Sequence, residues 1–100
     1  DKTFRKYHQL ISNPQVALCI ENIQIEGVCE EIGHPMDNDL FCSLYKECFG
    51  GNRYCSLENE RLFAVKPTYI ERWKYIDGLP YMEIFNVEKQ EYEFTKYEGV

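Results

Sequence analysis

The spacing of apolar positions changes several times along the chain, and each change marks an element. Phe4, Tyr7, Leu10 and Ile11 recur at helical spacing, which predicts a short helix with Thr3 as its N-cap. Asn13-Pro14 ends it, because proline disfavours helical geometry in the residue before it. Gln15 to Ile20 is nearly continuous in apolar residues and reads as a strand buried on both faces. Glu21-Asn22 predicts a tight turn, although it lacks the glycine that favours such hairpins. From Ile23 to Ile32 the pattern alternates, with Ile23 and Ile25 on one face and Gln24, Glu26 and Val28 on the other.

Pro35-Met36-Asp37 opens a second predicted helix, whose stripe is Phe41, Leu44, Tyr45 and Cys48. Gly50-Gly51 is its stop, and residues 52–60 read as a loop. Arg61 to Lys66 reads as a short strand that Pro67 turns into an edge or a bend. Thr68 to Ile76 resumes as a strand with Tyr69, Trp73 and Tyr75 on one side. Asp77-Gly78 is the strongest hairpin signal in the chain, and Tyr81 to Val87 returns as the partner strand. Residues 88–100 are charged and rich in tyrosine and carry no assignment. The expectation is mainly β (α+β): an antiparallel sheet of about five strands with two helices, most easily closed as a small barrel. The chain opens on a helix, so closing that barrel requires either a partner chain or an N-terminal hairpin upstream of residue 1.

At 100 residues the chain is long enough for a single domain, 1–100. The aromatic share of 15% suits a β-rich fold or a pocket for a flat ligand. A formal net charge of -6 argues against a nucleic-acid partner. No apolar stretch is long enough to span a membrane. No signal peptide opens the chain, and the five cysteines are an odd number without a tight repeat, which reads as reduced thiols in a cytoplasmic protein. Cys19 and Cys29 fall in strand patterns, where a thiol packs as a small hydrophobe. The spacings of Cys42, Cys48 and Cys55 do not match paired Cys-x-x-Cys zinc knuckles, so no metal site is assigned. His8 reads as a helix-surface residue and His34 as a loop residue, neither beside a recognisable nucleophile.

The cations at the start of the first helix carry the most chemical information. A helix N-terminus is already electropositive, so Arg5 and Lys6 there cost stability unless an anion sits between them. Free helix N–H groups with two cations make a phosphate seat. The same pair also reads as a solvated cationic face.

The segment Arg5-Lys6-Tyr7-His8-Gln9-Leu10-Ile11-Ser12-Asn13-Pro14-Gln15-Val16-Ala17-Leu18 resembles the pyridoxamine 5′-phosphate oxidase-related family of FMN-binding split barrels. Ile23-Gln24-Ile25-Glu26-Gly27 is similar to that family's next strand, and residues 66–80, Lys-Pro-Thr-Tyr-Ile-Glu-Arg-Trp-Lys-Tyr-Ile-Asp-Gly-Leu-Pro, look like the Pro-Thr and Trp-Lys-Tyr strand of its small clostridial-type members. The resemblance implies an antiparallel split β-barrel and a homodimer with FMN at the interface. It also implies a helix and two strands ahead of residue 1, which would leave this sequence N-terminally incomplete.

By resemblance, Arg5 and Lys6 match the phosphate-binding basic pair, with Thr3 near enough to add a hydroxyl. Asn22 falls where the larger oxidases set an amide against the flavin's polar edge, whose alternating acceptors and N–H donor an amide can match. Asn22 is equally a turn former. Trp73 and Lys74 match the tryptophan region that approaches the cofactor from the second subunit, and Trp73 also reads as core. On an ideal strand Trp73 and Lys74 point to opposite faces, so both reach one ligand only across a bulge. The implied activity is that of an FMN-dependent oxidoreductase acting with a small-molecule substrate or electron donor, with no catalytic residue assigned. The tail, with only Lys89 and Lys96 from Glu88 onward, lacks the Arg-rich segment that recognises pyridoxamine phosphate. The rivals are a non-enzymatic FMN- or haem-binding protein on the same barrel, and a cofactor-free structural dimer.

Overall fold

The computed structural model describes residues 1–49 and 54–99. The predicted Gly50-Gly51 stop lies outside the described residues. The structure is mainly β with two helices: α1 (Arg5–Ser12), β1 (Gln15–Ile20), β2 (Ile23–Glu31), a 3-10 turn (Pro35–Asp37), α2 (Asp39–Phe49), β3 (Phe63–Ile76), β4 (Leu79–Asn86) and β5 (Glu91–Lys96). The strands form one sheet in the order β1-β2-β3-β4-β5. The chain packs as two compact units, Asp1–Pro14 with Cys29–Ala64 and Gln15–Val28 with Val65–Val100.

In the first unit, α1 forms where helical spacing predicts it, but Phe4 rather than Thr3 is its N-cap, without a side-chain capping bond. The reason is local competition. The Asp1 carboxylate takes both the Thr3 N–H (2.7 Å) and the Thr3 hydroxyl (2.5 Å), an Asx-turn that leaves the hydroxyl committed. Of the predicted apolar face, Tyr7 and Leu10 are half-buried, whereas Phe4 and Ile11 are exposed. Tyr7 holds α1 in place: its ring meets Phe63 edge-on at 5.8 Å and its hydroxyl donates to Glu31 Oε2 at 2.7 Å. Arg61 faces the other oxygen of Glu31 at 3.5 Å.

The second helix starts later than Pro35. Pro35–Asp37 is a separate 3-10 turn, and Asn38 then caps α2 by accepting the Phe41 N–H at 2.8 Å. His34 fixes this entry rather than lying in a passive loop. Its Nδ1 accepts the Met36 N–H (3.1 Å) and its Nε2 lies 2.7 Å from the Leu57 carbonyl. Phe41 and Tyr45 are half-buried with ring centroids 5.5 Å apart, while Leu44 and Cys48 are exposed.

In the second unit, β1 pairs with β2 from Gln15↔Val28 to Ile20↔Ile23, leaving Glu21-Asn22 as a two-residue turn. Glu21 sits at φ 52, a conformation glycine would adopt more readily. β1 is not buried on both faces: only Val16 is half-buried, and Ile20 is 56% exposed. The strand lies at the sheet's edge, with a paired strand on one side only. Cys19, expected to pack, is exposed on this edge strand, whereas Cys29 is half-buried. Among the described residues no hydrophobic side chain is fully buried.

Pro67 does not divide the next strand. β3 runs through it without interruption for 14 residues. β3 pairs with β4 from Tyr69↔Asn86 to Ile76↔Leu79, around the expected Asp77-Gly78 turn, where both residues have positive φ (53 and 77) as a type I′ turn requires. β5, unassigned from sequence, pairs with β4 from Asn86↔Glu91 to Tyr81↔Lys96.

Gly27 marks a close approach of β2 to β3. A Cβ there would stand 2.5 Å from the Lys66 carbonyl oxygen and 2.8 Å from Val65 Cγ1. The backbone oxygen cannot swing aside, so Gly27→Ala is expected to destabilise the fold by about 1–3 kcal/mol through overpacking, read as a lower urea midpoint at unchanged slope.

Candidate functional site

The six residues singled out from sequence divide between the two units. Thr3, Arg5 and Lys6 belong to the first; Asn22, Trp73 and Lys74 belong to the second.

Arg5 and Lys6 occupy the first turn of α1, with exposed side chains and no acidic residue in that turn. Among the described residues neither side chain has an acidic partner. Tyr7 N–H is bonded to the Phe4 carbonyl, whereas the N–H groups of Arg5 and Lys6 have no partner among the described residues. Two free donors and two cations thus share one turn, an arrangement able to hold an anion. Thr3 is two residues before this turn, with its hydroxyl on Asp1.

The second group does come together. The Asn22 amide nitrogen donates to the Trp73 carbonyl at 2.5 Å, and Trp73 N–H donates back to the Asn22 carbonyl at 3.0 Å. This reciprocal clip ties the β1–β2 turn to β3. Asn22, Arg72, Trp73, Lys74 and Tyr75 line an open hollow of about 330 Å³, within the range of roughly 300–1,000 Å³ usual for ligand sites. The β3–β4 pairing is unbroken around Trp73 and Lys74, so no bulge turns them to one face. They flank the hollow from opposite faces of β3.

Two neighbours were not foreseen from sequence. Arg72 adds a second cation beside Lys74, but its guanidinium is committed across the strands to Glu83, with Nη2 at 2.6 Å and Nε at 3.1 Å from the same oxygen. Tyr92 donates to the other oxygen of Glu83 at 2.9 Å. The Arg72 hydrogen bond, followed by that from Tyr92, holds the Glu83 carboxyl below the usual carboxylate range. Lys74 makes no salt bridge among the described residues, although its charge also helps to lower the Glu83 carboxyl. Tyr97, beyond the end of β5, meets Trp73 edge to face at 5.1 Å and 83°. Recognising β5 as a strand was the signal that would have placed it.

Comparison with family models, curated proteins and solved structures finds no match to this chain. Among the described residues no helix is long and apolar enough to cross a membrane.

Tyr69 provides a direct check on side-chain placement in this unit. Its hydroxyl donates to Glu71 Oε1 at 2.7 Å, two residues along the same strand face. That bond, reinforced by desolvation, pushes the Tyr69 pKa up to about 12. A raised folded-state value favours the native state below the ordinary tyrosine pKa of about 10 and loses that contribution as pH climbs through the raised value. Tyr7 and Tyr92 are also raised by hydrogen bonds to carboxylates, so phenolate absorbance is expected to lose one of its late-titrating tyrosines in Tyr69→Phe and to shift one to lower pH in Glu71→Gln.

Proposed function

We propose that this chain is an FMN-binding flavoprotein of the split-barrel type, working as a cytoplasmic homodimer in oxidoreduction. The observation that carries the reading is the first turn of α1, where Arg5 and Lys6 present two exposed cations and two free N–H groups with no acidic neighbour in that turn. A dianionic phosphate removes the electrostatic cost of that turn and takes up the free donors. The phosphate contact is assigned to Arg5 and Lys6, with Thr3 adjoining.

Within the second unit, taken by itself, the hollow beside the β1–β2 turn suits a flat ring. Trp73 supplies an aromatic surface there and Asn22 a carboxamide at the rim, whereas Lys74, on the opposite face of β3 with no bulge to turn it, does not share that surface. When bound, FMN supplies the electron or hydride chemistry, and the chain's residues supply binding and electrostatics. Exposed apolar side chains on the edge strand β1 support pairing with a second copy. Five unpaired cysteines agree with a reducing compartment. The Glu-rich stretch from Glu88 to Glu98 gives no polybasic clamp for pyridoxamine phosphate, so the substrate is assigned only as a small molecule that exchanges electrons with flavin.

The test is the visible spectrum of the purified chain after incubation with FMN and removal of free ligand. Retained flavin bands support the reading; a colourless protein that takes up no FMN overturns it, and a Soret band would indicate haem instead. In the retained complex Lys6→Glu is expected to weaken FMN binding by about 10-fold or more, the loss of one charge-assisted hydrogen bond. Undiminished affinity in that variant refutes the phosphate assignment.

A further inference from the structure

Trp73 is the only tryptophan in the chain, and its backbone is fixed on both sides. On one edge of β3 it exchanges two hydrogen bonds with Asn22. On the other it stands opposite Met82 in the unbroken β3–β4 ladder. What remains free is the direction of the indole, set by two side-chain torsions. Tyr97 is the ring that meets it. The Tyr97 N–H donates to the Pro80 carbonyl at 3.0 Å, extending the β4–β5 ladder one step beyond the Tyr81↔Lys96 pair. Alternation then places Tyr97 on the face of Thr95, which is opposite Met82, which is opposite Trp73. The two rings therefore meet on one face, across the middle strand.

We infer that Tyr97 is the positioning residue for Trp73: its ring fixes the indole against the hollow at the β1–β2 turn and presets it as a platform for a flat aromatic ligand. The ligand's identity as flavin rests on the reading above; the ring contact does not. Preorganisation of this kind acts by removing torsional freedom before the ligand arrives.

The experiment uses the full chain and three variants, Tyr97→Ala, Tyr97→Leu and Tyr97→Phe, each checked for native circular dichroism. Without ligand, Trp73 fluorescence is expected to shift to the red and lose anisotropy in the Ala and Leu variants and to stay as wild type in the Phe variant. With FMN as the probe, quenching of flavin fluorescence is expected to give a dissociation constant raised about 3- to 10-fold in Ala and Leu and unchanged in Phe, the range set by one edge-to-face aromatic pair. Unaltered Trp73 emission and anisotropy in both Ala and Leu overturn the inference. So does an altered indole with unaltered FMN affinity, which leaves the flavin reading standing. Failure of the wild-type chain to bind FMN overturns the flavin reading alone, and the ligand-free emission still decides whether Tyr97 holds Trp73.

Discussion

Eight successive antiparallel pairs join β3 to β4, and the chemistry of the second unit depends on that register. It sets Arg72 opposite Glu83 on one face and Trp73 opposite Met82 on the other. The β4–β5 pairing extends the Arg72–Glu83 face, bringing Tyr92 to Glu83 and stacking Phe94 on Tyr81 with ring planes 8° apart, and on the other face the chain just past β5 brings Tyr97 to Trp73. A slip of one residue would exchange the faces, separating arginine from carboxylate and tryptophan from Tyr97. Asp77-Gly78 guards against that slip, because a two-residue turn with positive φ at both positions admits one register.

The first unit rests on a smaller device. Glu31, near the end of β2, receives the Tyr7 hydroxyl on one oxygen and faces Arg61 with the other. The hydrogen bond to Glu31, ahead of desolvation, raises the pKa of Tyr7, the mark of a phenol proton held on a carboxylate. That contact orients the helix whose first turn carries Arg5 and Lys6. The cationic turn is therefore presented by a side chain one position beyond it.

Local chemistry was legible in the sequence and tertiary context was not. Helical spacing located α1, Asn13-Pro14 its end, and Asp77-Gly78 a hairpin, because each signal acts over a few residues. Five strands were expected and five are present among the described residues, but they are not the same five. Pro67 suggested a break that β3 does not make, and β5 was hidden by the charges of Glu91, Glu93 and Lys96. Those charges suit a sheet edge, so polarity there signalled position rather than absence of a strand. β1 misled in the opposite sense: its apolar run implied two-sided burial, and its place at the other edge denies it. Of the candidate residues, sequence reasoning found Asn22 and Trp73 separately and the fold joins them by two hydrogen bonds, one from the Asn22 side-chain amide and one from the Trp73 N–H. Arg72 and Tyr97 could not be found without the register, and Thr3 lost its expected cap to an aspartate two residues away.

The two edges of the sheet are unlike, and this governs how the molecule meets its own kind. β5 ends the sheet in glutamates and a lysine, which repel a second strand or demand a matched one. β1, Gln-Val-Ala-Leu-Cys-Ile, offers six residues without charge or proline. An uncovered strand of that composition is a template for cross-β growth, and with no charge to screen, added salt strengthens rather than loosens the contact. A partner strand that covered β1 would also close this route to edge-to-edge association.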